Sequence, residues 1–433
     1  MKRICHLLLV CLAFTAAAQP PRLRDAPVLK ESSPEAAGFS SERLMRIDKV
    51  MQEHVDKQLF NGGVAMIVRD GKIVYYKSFG YDDVAAKKPM PKDGIFRIAS
   101  QTKAITSVAV MMLYEEGKFM LDDPISNYIP EFKKPRVLDK YNAADTTYTT
   151  VPAKREITIR DLLTHTSGIG YAQIGTAQQN AIYYKAGVVG GIGVDNMVLG
   201  DKMKILGKLP LFHQPGEKWT YGLNTDLLGY LVEVVSGMSL DQFFQKRIFE
   251  PLGMKDTYFY LPKEKHHRLV NLYTEDSTGK IAKMAATRSL NGDFSRDYPL
   301  TKGTYFSGGG GLSSTVYDYA IFLQMMLNGG AYNGKRLLGR NTVRMMTMNQ
   351  VGDLAMWSNT NRFGLGFGVV TEKGSAELPV NEGTFDWGGM FATTFWVDPK
   401  ERLIGLFYRN IYPTSQWGFG NKFKVLVYQA IND

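Results

Sequence analysis

Ser100 and Lys103 are the residues of this sequence whose types and spacing best suit covalent chemistry. An apolar stripe from Ile105 to Met111 predicts a helix over residues 100–116, and residues three apart on a helix share one face. A serine hydroxyl becomes a competent nucleophile when a neighbouring base takes its proton, and the N-terminal end of a helix stabilises a developing oxyanion. The pair fits an activated serine, although the same pattern also fits an N-cap serine beside a surface lysine.

Further residues of chemical interest follow this pair in order along the chain. Tyr221 stands just before a segment with a helical pattern, and the sequence Asp-Trp-Gly-Gly-Met at 386–390 stands just before a predicted strand. Two other motifs lie between the serine and that strand: the segment 161–168, which contains His165, and a run of four glycines at 308–311. A tyrosine hydroxyl can carry a proton between reacting groups, so Tyr221 is a candidate partner for the serine.

The remaining polar motifs predict structural roles. Adjacent side chains diverge on a helix or strand, so the Lys-rich segment around His266 and His267 predicts a solvated loop and no metal site. We expect His165 to be a structural, hydrogen-bonded residue. The glycine run at 308–311 lacks the Lys-Ser/Thr of a phosphate loop and predicts a backbone turn near the wall of a cleft. We therefore expect neither a metal nor a cofactor.

Three motifs together resemble those of the serine β-lactamase and penicillin-binding-protein superfamily: Ser-x-x-Lys at Ser100 and Lys103, a tyrosine motif at Tyr221 and Trp-Gly-Gly at 387–389. The chain looks most like the class C-like branch, which contains family VIII carboxylesterases and related acyltransferases, from residue 35 to the C-terminus. The resemblance implies that Ser100 is the acylated nucleophile and that Lys103 is its base partner. It also implies that Tyr221 shuttles a proton to or from the leaving or attacking group.

The resemblance places the C-terminal motif at the wall of the substrate cleft. Trp387, Gly388 and Gly389 would form the edge strand that lines the cleft. The backbone N–H groups of Ser100 and Met390 would form the oxyanion hole. An indole at Trp387 favours contact with an apolar or aromatic portion of a small acyl substrate.

Two departures from the class C β-lactamase pattern favour an esterase-like member of the superfamily. Leu223 stands where Tyr-x-Asn places the asparagine, with Asn224 one position later, and Trp387 replaces the lysine of Lys-Thr-Gly. Loss of that lysine removes a positive charge from the cleft. We predict a serine hydrolase, a carboxylesterase that acts on an ester or related acyl substrate, with transfer to an alcohol acceptor left open. The alternatives are a β-lactamase or D-Ala-D-Ala carboxypeptidase, and a non-catalytic penicillin-binding-like protein.

These motifs require a fold that brings the two ends of the chain together. Patterning predicts a helix at 41–59, a hairpin around Asp70-Gly71, strands at 363–370, 393–397 and 403–409, and a final helix at 416–431. An insert at 173–198 has no clear periodicity. We predict an α/β (α+β) fold of the β-lactamase type, with an antiparallel sheet flanked by helices. The catalytic domain would span 35–433, with sheet halves at about 35–100 and 360–433 and an inserted, mainly helical subdomain at about 101–359.

The N-terminus predicts export. A basic start, an apolar run and a small-residue site ending at Ala18 form a secretory signal peptide, 1–18, followed by a leader at 19–34. Both cysteines, Cys5 and Cys11, lie within the signal peptide, so processing would leave a mature chain with no disulfide and no cysteine nucleophile. We expect a periplasmic or extracellular protein, with lipoprotein anchoring as the less favoured alternative.

Composition and charge indicate the class of partner. The 433 residues include 52 Lys+Arg and 42 Asp+Glu, a net charge of +10 that falls to +8 when Lys2 and Arg3 leave with the signal peptide. These charges are interspersed along the chain, which predicts a solvated surface and no nucleic-acid partner. After the leader, no apolar run reaches the ~18 residues of a membrane-spanning helix. The expected partner is a small-molecule acyl substrate, and the sequence leaves the oligomeric state open.

Overall fold

The computed structural model describes residues 26–193, 196–289, 293–358 and 360–433. Over these residues, a nine-stranded sheet takes its strands from the two ends of the chain. In chain order the strands are β1 Lys30–Glu31, β2 Gly62–Arg69, β3 Lys72–Asp83, β4 Lys88–Pro89, β5 Asn361–Phe363, β6 Gly368–Val370, β7 Phe385–Gly389, β8 Thr393–Asp398 and β9 Leu403–Tyr408. The spatial order is β1-β3-β2-β9-β8-β7-β6-β5, with β4 beside β3.

The two ends of the chain meet at the centre of the sheet. β2 pairs antiparallel with β9, with Arg69 opposite Leu403. β2 and β3 form the predicted hairpin, and its turn residues Asp70 and Gly71 have φ of 52° and 73°, the left-handed backbone that an Asp-Gly turn supplies. The pairings in the sheet are antiparallel except that of β1 with β3. The sheet is therefore mixed, with one parallel pairing, whereas the sequence predicts an antiparallel sheet.

Helices cover both faces of the sheet and fill the middle of the chain. In chain order they are α1 Ser41–Asp56, α2 Thr102–Glu115, α3 Ile159–Leu163, α4 Ala177–Lys185, α5 Leu199–Leu206, α6 Asn224–Ser236, α7 Leu240–Phe244, α8 Glu250–Leu252, α9 Val316–Leu327, α10 Arg340–Met346, α11 Glu372–Ser375 and α12 Phe419–Tyr428. α1 and α12 share one apolar core with the sheet, and α2 and α9 share another. Residues of β2 alternate between these cores: Ala65 and Ile67 join the first, whereas Met66 and Val68 join the second.

Short two-stranded ribbons complete the described structure. They pair Phe96–Arg97 with Ser313–Ser314, Arg136–Tyr141 with Tyr148–Pro152, Tyr273–Glu275 with Ile281–Lys283, Thr287–Ser289 with Asp293–Ser295, and Ala331–Tyr332 with Lys335–Arg336. Within the described ranges, no helix combines the length and the apolar character that crossing a membrane requires. The predicted signal peptide, with both cysteines, lies outside the described residues.

Two segments differ from the sequence-based prediction. The single strand predicted at 363–370 is a hairpin of β5 and β6, because Gly366 turns the chain with a φ of 97°. The 173–198 insert contains α4, which begins at a capping box. Thr176 Oγ1 accepts a hydrogen bond from the Gln179 N–H at 3.3 Å, and the Gln179 side chain accepts one from the Thr176 N–H at 3.1 Å. Capping, not an amphipathic stripe, defines the start of this short helix.

Candidate active site

Ser100 lies in a sharp turn that precedes α2. Ala99, Ser100 and Gln101 form one turn of 3₁₀ helix, so the predicted first helical turn is tighter than an α-helix. Ala99 has a φ of 43°, a left-handed conformation that costs a residue with a side chain about 1–3 kcal/mol. Buried hydrogen bonds hold the turn in place, because the Tyr319 hydroxyl donates to the Gln101 carbonyl at 2.8 Å and the Tyr408 hydroxyl donates to the Gln101 side chain. The turn leaves the Ser100 side chain half-buried at its apex.

Lys103 is buried behind Ser100, with 1% of its surface exposed. Its Nζ donates to Ser100 Oγ at 3.3 Å, to the Tyr171 hydroxyl at 2.9 Å and to the Gly309 carbonyl at 2.6 Å. The alternative of an N-cap serine beside a surface lysine is therefore wrong. The last of these contacts joins Lys103 to the 308–311 turn. The sequence predicts this turn near the wall of a cleft and does not predict its contact with the lysine.

Two tyrosines, Tyr221 and Tyr171, flank the lysine. Lys103 Nζ lies 4.6 Å from the centroid of the Tyr221 ring, and the rings of Tyr221 and Tyr171 have centroids 5.4 Å apart. Burial raises the pKa of Tyr171 well above its usual range, and nearby Tyr221 and Asp226 raise it further. The sequence analysis missed Tyr171, whose one signal is its position three residues after Gly168, the end of the motif that contains His165.

The end of β7 forms an open edge beside Ser100. Phe385 pairs with both β6 and β8, whereas the described strands pair Trp387, Gly388 and Gly389 with β8 alone. At Gly389, a Cβ atom would lie 2.3 Å from the Ile98 carbonyl oxygen, so only glycine allows this strand to approach the Ser100 turn so closely. The approach brings Met390, which follows Gly389, to the same cavity wall as Ser100.

One cavity of about 390 Å³ brings the predicted site residues together. Six of them line it: Ser100, Tyr221, Trp387, Gly388, Gly389 and Met390. The seventh, Lys103, contacts Ser100 from behind. Three exposed apolar side chains, Ile174, Trp357 and Trp417, stand on the rim of the same cavity.

An aromatic wall lines one side of this cavity. The Trp357 ring stacks on the Trp387 ring with centroids 5.7 Å apart and planes 21° apart. Trp357 also contacts Tyr221 and Trp219 edge to face, at 5.1 Å and 5.0 Å between centroids. Trp357 remains 69% exposed, which leaves its ring available to a substrate. The sequence analysis missed Trp357, because no motif surrounds it.

A charged pair lines the other side of the cavity. Lys424 of α12 donates to Asp386 Oδ2 at 2.6 Å, and both residues are part of the cavity wall. This chain lacks the lysine of the class C motif, where Trp387 stands, but Lys424 places a positively charged group in the cavity wall. Over the described residues, His, Cys, Asp and Glu form no group of three or more that could hold a metal ion.

His165 supports the site from the core of the protein. Its backbone is left-handed, with a φ of 59°, and its Nδ1 accepts a hydrogen bond from the Asn224 side-chain amide at 2.9 Å. The Ser167 hydroxyl donates to the other side of the same Asn224 amide. Burial, followed by the positive charge of Lys103, lowers the pKa of His165 well below its usual value. The prediction that His165 is hydrogen-bonded is confirmed, and its structural role stays a prediction.

Comparison with known proteins identifies relatives along most of the chain. Protein Rv1367c of Mycobacterium tuberculosis is 34% identical over 369 residues, which cover 82% of this chain and 87% of that protein. Esterase EstB of Burkholderia gladioli is 27% identical, with 89% of this chain and 94% of EstB covered. The solved structure of EstCE1, described as a hydrolase with promiscuous acyltransferase activity, matches with a TM-score of 0.77 and 26% identity, covering 90% of this chain and 99% of EstCE1. Another relative is named an acyltransferase. Others bear the provisional name of D-alanyl-D-alanine carboxypeptidase.

A family model described as Beta-lactamase matches residues 47–427. This match confirms the resemblance drawn from Ser100, Lys103, Tyr221 and 387–389, and the β-lactamase-like α/β fold with helices on both faces of the sheet is confirmed with it. The relatives include one named an esterase and one named an acyltransferase, and the fold is shared with the hydrolase EstCE1. Because the family model spans most of its length, the chain belongs to the Beta-lactamase family.

Proposed function

We propose that the protein is a serine hydrolase that cleaves an ester or related acyl substrate through an acyl-enzyme on Ser100. The observation that carries this proposal is the contact of 3.3 Å between Ser100 Oγ and the buried Nζ of Lys103, at the wall of an open cavity. A buried lysine beside a serine hydroxyl supplies the neighbouring base that such a nucleophile needs. A protein that only bound its ligand would not require a buried lysine in contact with a serine hydroxyl. We therefore favour an enzyme over a non-catalytic binding protein.

The proposed reaction has two halves. Ser100 Oγ forms a bond to the acyl carbon while its proton passes to Lys103, and the backbone N–H groups of Ser100 and Met390 stabilise the oxyanion. The ester C–O bond then breaks, and the departing alcohol oxygen takes a proton relayed through Tyr221. Water attacks the acyl-enzyme in the second half, gives up a proton by the same route, and releases the acid as Ser100 regains its hydrogen. An alcohol bound in place of water would give a new ester by the same steps.

The aromatic wall supports a substrate with an apolar or aromatic portion. Trp357 and Trp387 present stacked indole rings beside Tyr221, and a flat apolar group gains both burial and ring contact there. We expect Trp357→Ala to raise KM for p-nitrophenyl phenylacetate about tenfold and that for p-nitrophenyl acetate less than threefold. Equal effects on the two esters would contradict this part of the proposal.

One set of assays separates the candidate reactions. Wild type and Ser100→Ala are compared on p-nitrophenyl butyrate, a chromogenic cephalosporin and a D-Ala-D-Ala peptide, with Ser236→Ala as a control because Ser236 is a helical serine outside the cavity. We expect ester turnover that disappears in Ser100→Ala and persists in Ser236→Ala. Cephalosporin or peptide turnover as fast as ester turnover would favour a β-lactamase or carboxypeptidase. Failure of the wild type to react with any substrate or with a fluorophosphonate would refute an acyl-enzyme.

We also propose that the protein is exported. The proposal rests on the basic start, apolar run and Ala-x-Ala site of residues 1–18. N-terminal sequencing of the protein from a fractionated bacterial host tests it. We expect a mature chain that begins at Gln19 in the periplasmic or extracellular fraction, and an intact N-terminus in the cytoplasm would contradict the proposal.

A further inference from the structure

A buried carboxylate that no motif identifies lies within electrostatic range of the lysine. Asp226 is in the first turn of α6 and is 1% exposed. Its Oδ1 accepts a hydrogen bond from the Ser307 hydroxyl at 2.6 Å. Burial raises the pKa of Asp226, whereas the Ser307 hydrogen bond and the positive charge of Lys103 oppose that rise. Burying a carboxylate costs free energy of folding unless hydrogen bonds or opposite charges compensate for the lost water. The groups around Asp226 therefore indicate what role it has.

The 308–311 turn packs against this carboxylate. A Cβ atom at Gly309 would lie 2.2 Å from Asp226 Oδ2, and one at Gly308 would lie 2.6 Å from the Thr225 carbonyl oxygen. Glycine is the one residue type that allows the backbone to approach so closely. The turn therefore packs directly against the first turn of α6, with Gly309 in close contact with Asp226.

The same turn supplies a hydrogen-bond acceptor to the lysine. The Gly309 carbonyl is 2.6 Å from Lys103 Nζ, the shortest of the three polar contacts that this Nζ makes. The neighbouring Gly308 carbonyl accepts a hydrogen bond from Thr106 Oγ1 at 2.7 Å, which ties the turn to α2. A continuous set of contacts thus links Asp226 through the turn to Lys103.

We propose that Asp226 is a positioning residue for the acylation of Ser100. It seats the 308–311 turn so that the Gly309 carbonyl directs Lys103 towards Ser100. Its carboxylate also stabilises the positive charge that Lys103 acquires when it takes the serine proton. This inference rests on the proposed acyl-enzyme function and names a residue that acts on it through the lysine.

Other titratable groups face the same region. His165, Tyr171 and Tyr221 face Lys103, and Tyr171 and Tyr305 face Asp226. Burial raises the pKa of Tyr171 and of Tyr305 and lowers the pKa of His165, so these three groups are uncharged at neutral pH. Among these four buried groups, Asp226 is the one whose ionised form would place a negative charge near Lys103.

Asp226→Asn tests the proposal in the full-length protein, because it removes the charge and keeps the size of the side chain. With p-nitrophenyl butyrate, we expect kcat at the plateau of its pH profile to fall about 10- to 100-fold and KM to change less than twofold. The acidic limb of the kcat/KM profile should move to lower pH by about 0.5 unit or more, because the protonated lysine loses an opposite charge. Asp318→Asn is the matched control, since Asp318 is also a buried helical carboxylate but lies outside the cavity, and its profile should match the wild type. A folded Asp226→Asn with wild-type kcat, or with reduced kcat and an unshifted limb, would overturn the proposal.

Gly309→Ala tests the same link without removing the charge. The added methyl group would displace the turn from Asp226, so kcat should fall while the acidic limb stays in place. Combining Gly309→Ala with Asp226→Ala removes the clash, so the double variant should lose no more activity than Asp226→Ala alone. Independent, multiplying losses would contradict the proposed link. Full ester turnover by Ser100→Ala would refute the proposed function itself. Loss of turnover in Ser100→Ala, together with wild-type behaviour of the Asp226 and Gly309 variants, would refute the positioning role alone.

Discussion

Gly389→Ala perturbs the contact that brings β7 against the Ser100 turn. The new Cβ would lie 2.3 Å from the Ile98 carbonyl oxygen and 2.5 Å from Thr393 Oγ1, whereas ordinary van der Waals contact begins at 3.4 Å. The strand and the turn must therefore separate by about 1 Å. If the Met390 N–H is an oxyanion donor, as we propose, this movement carries it away from the oxyanion. Loss of one oxyanion donor lowers kcat about 100-fold or more, which is about 3 kcal/mol of transition-state stabilisation. We expect a loss of this size in kcat, with KM changed less than about threefold.

Steady-state kinetics with p-nitrophenyl butyrate measure this effect, and thermal unfolding shows whether the variant is folded. Gly418→Ala is the control, because a Cβ at Gly418 meets no atom within 4 Å and the residue is not part of the cavity wall. We expect wild-type kinetics from Gly418→Ala. A folded Gly389→Ala with wild-type kcat would refute the reasoning, as would a rise in KM at constant kcat, which would assign this strand to ground-state binding alone.

Three further predictions concern the lysine, the tyrosines and the pH dependence of stability. Lys103→Met removes three polar contacts and the proposed base, so kcat/KM and the rate of fluorophosphonate labelling should fall about 10³-fold; labelling at the wild-type rate would exclude Lys103 as the base. Tyr221→Phe should lower kcat about 100-fold, and Tyr171→Phe about tenfold because Tyr171 is buried against the lysine; the reverse order, measured by steady-state kinetics, would transfer the proton-shuttle role to Tyr171. Burial raises the pKa of Asp318 to about 6, above the value of about 3.9 in the unfolded chain, so the stability linked to its protonated form is present below pH ~4 and is lost as the pH rises through 6. Urea unfolding between pH 4 and pH 7 should therefore show wild type losing about 2 kcal/mol relative to Asp318→Asn, and parallel curves would contradict the assignment.

The parts of the site that the sequence predicts are those set by local spacing. Ser100 and Lys103 are three residues apart, so helical geometry alone brings them together, and the structure has them in contact at 3.3 Å. The contacts of Lys103 with Tyr171 and with Gly309 span 68 and 206 residues. No local pattern encodes such contacts, and they depend on how α2 and α6 pack together. The motif resemblance identified Ser100 as the candidate nucleophile, whereas the surroundings of Lys103 could be known only from the fold.

In the fold too, local features were predictable from the sequence, whereas contacts between distant residues were not. The Asp70-Gly71 turn was predictable because its residue types demand a left-handed backbone, and the hairpin is present. The parallel pairing of β1 was not predictable, because Lys30 and Glu31 form an exposed strand of two residues with no apolar pattern. Trp357 contacts Trp387 across a turn and a hairpin, so its place in the cavity wall also depends on tertiary structure.

Intact-mass analysis during ester turnover is the most direct test of acylation at Ser100. Wild type is quenched in acid while it turns over p-nitrophenyl butyrate, and the modified peptide is mapped by tandem mass spectrometry. We expect one added butyryl group per chain, located on Ser100, and none on Ser100→Ala. A butyryl group on another residue, or continued ester turnover by Ser100→Ala, would contradict a serine acyl-enzyme at this position.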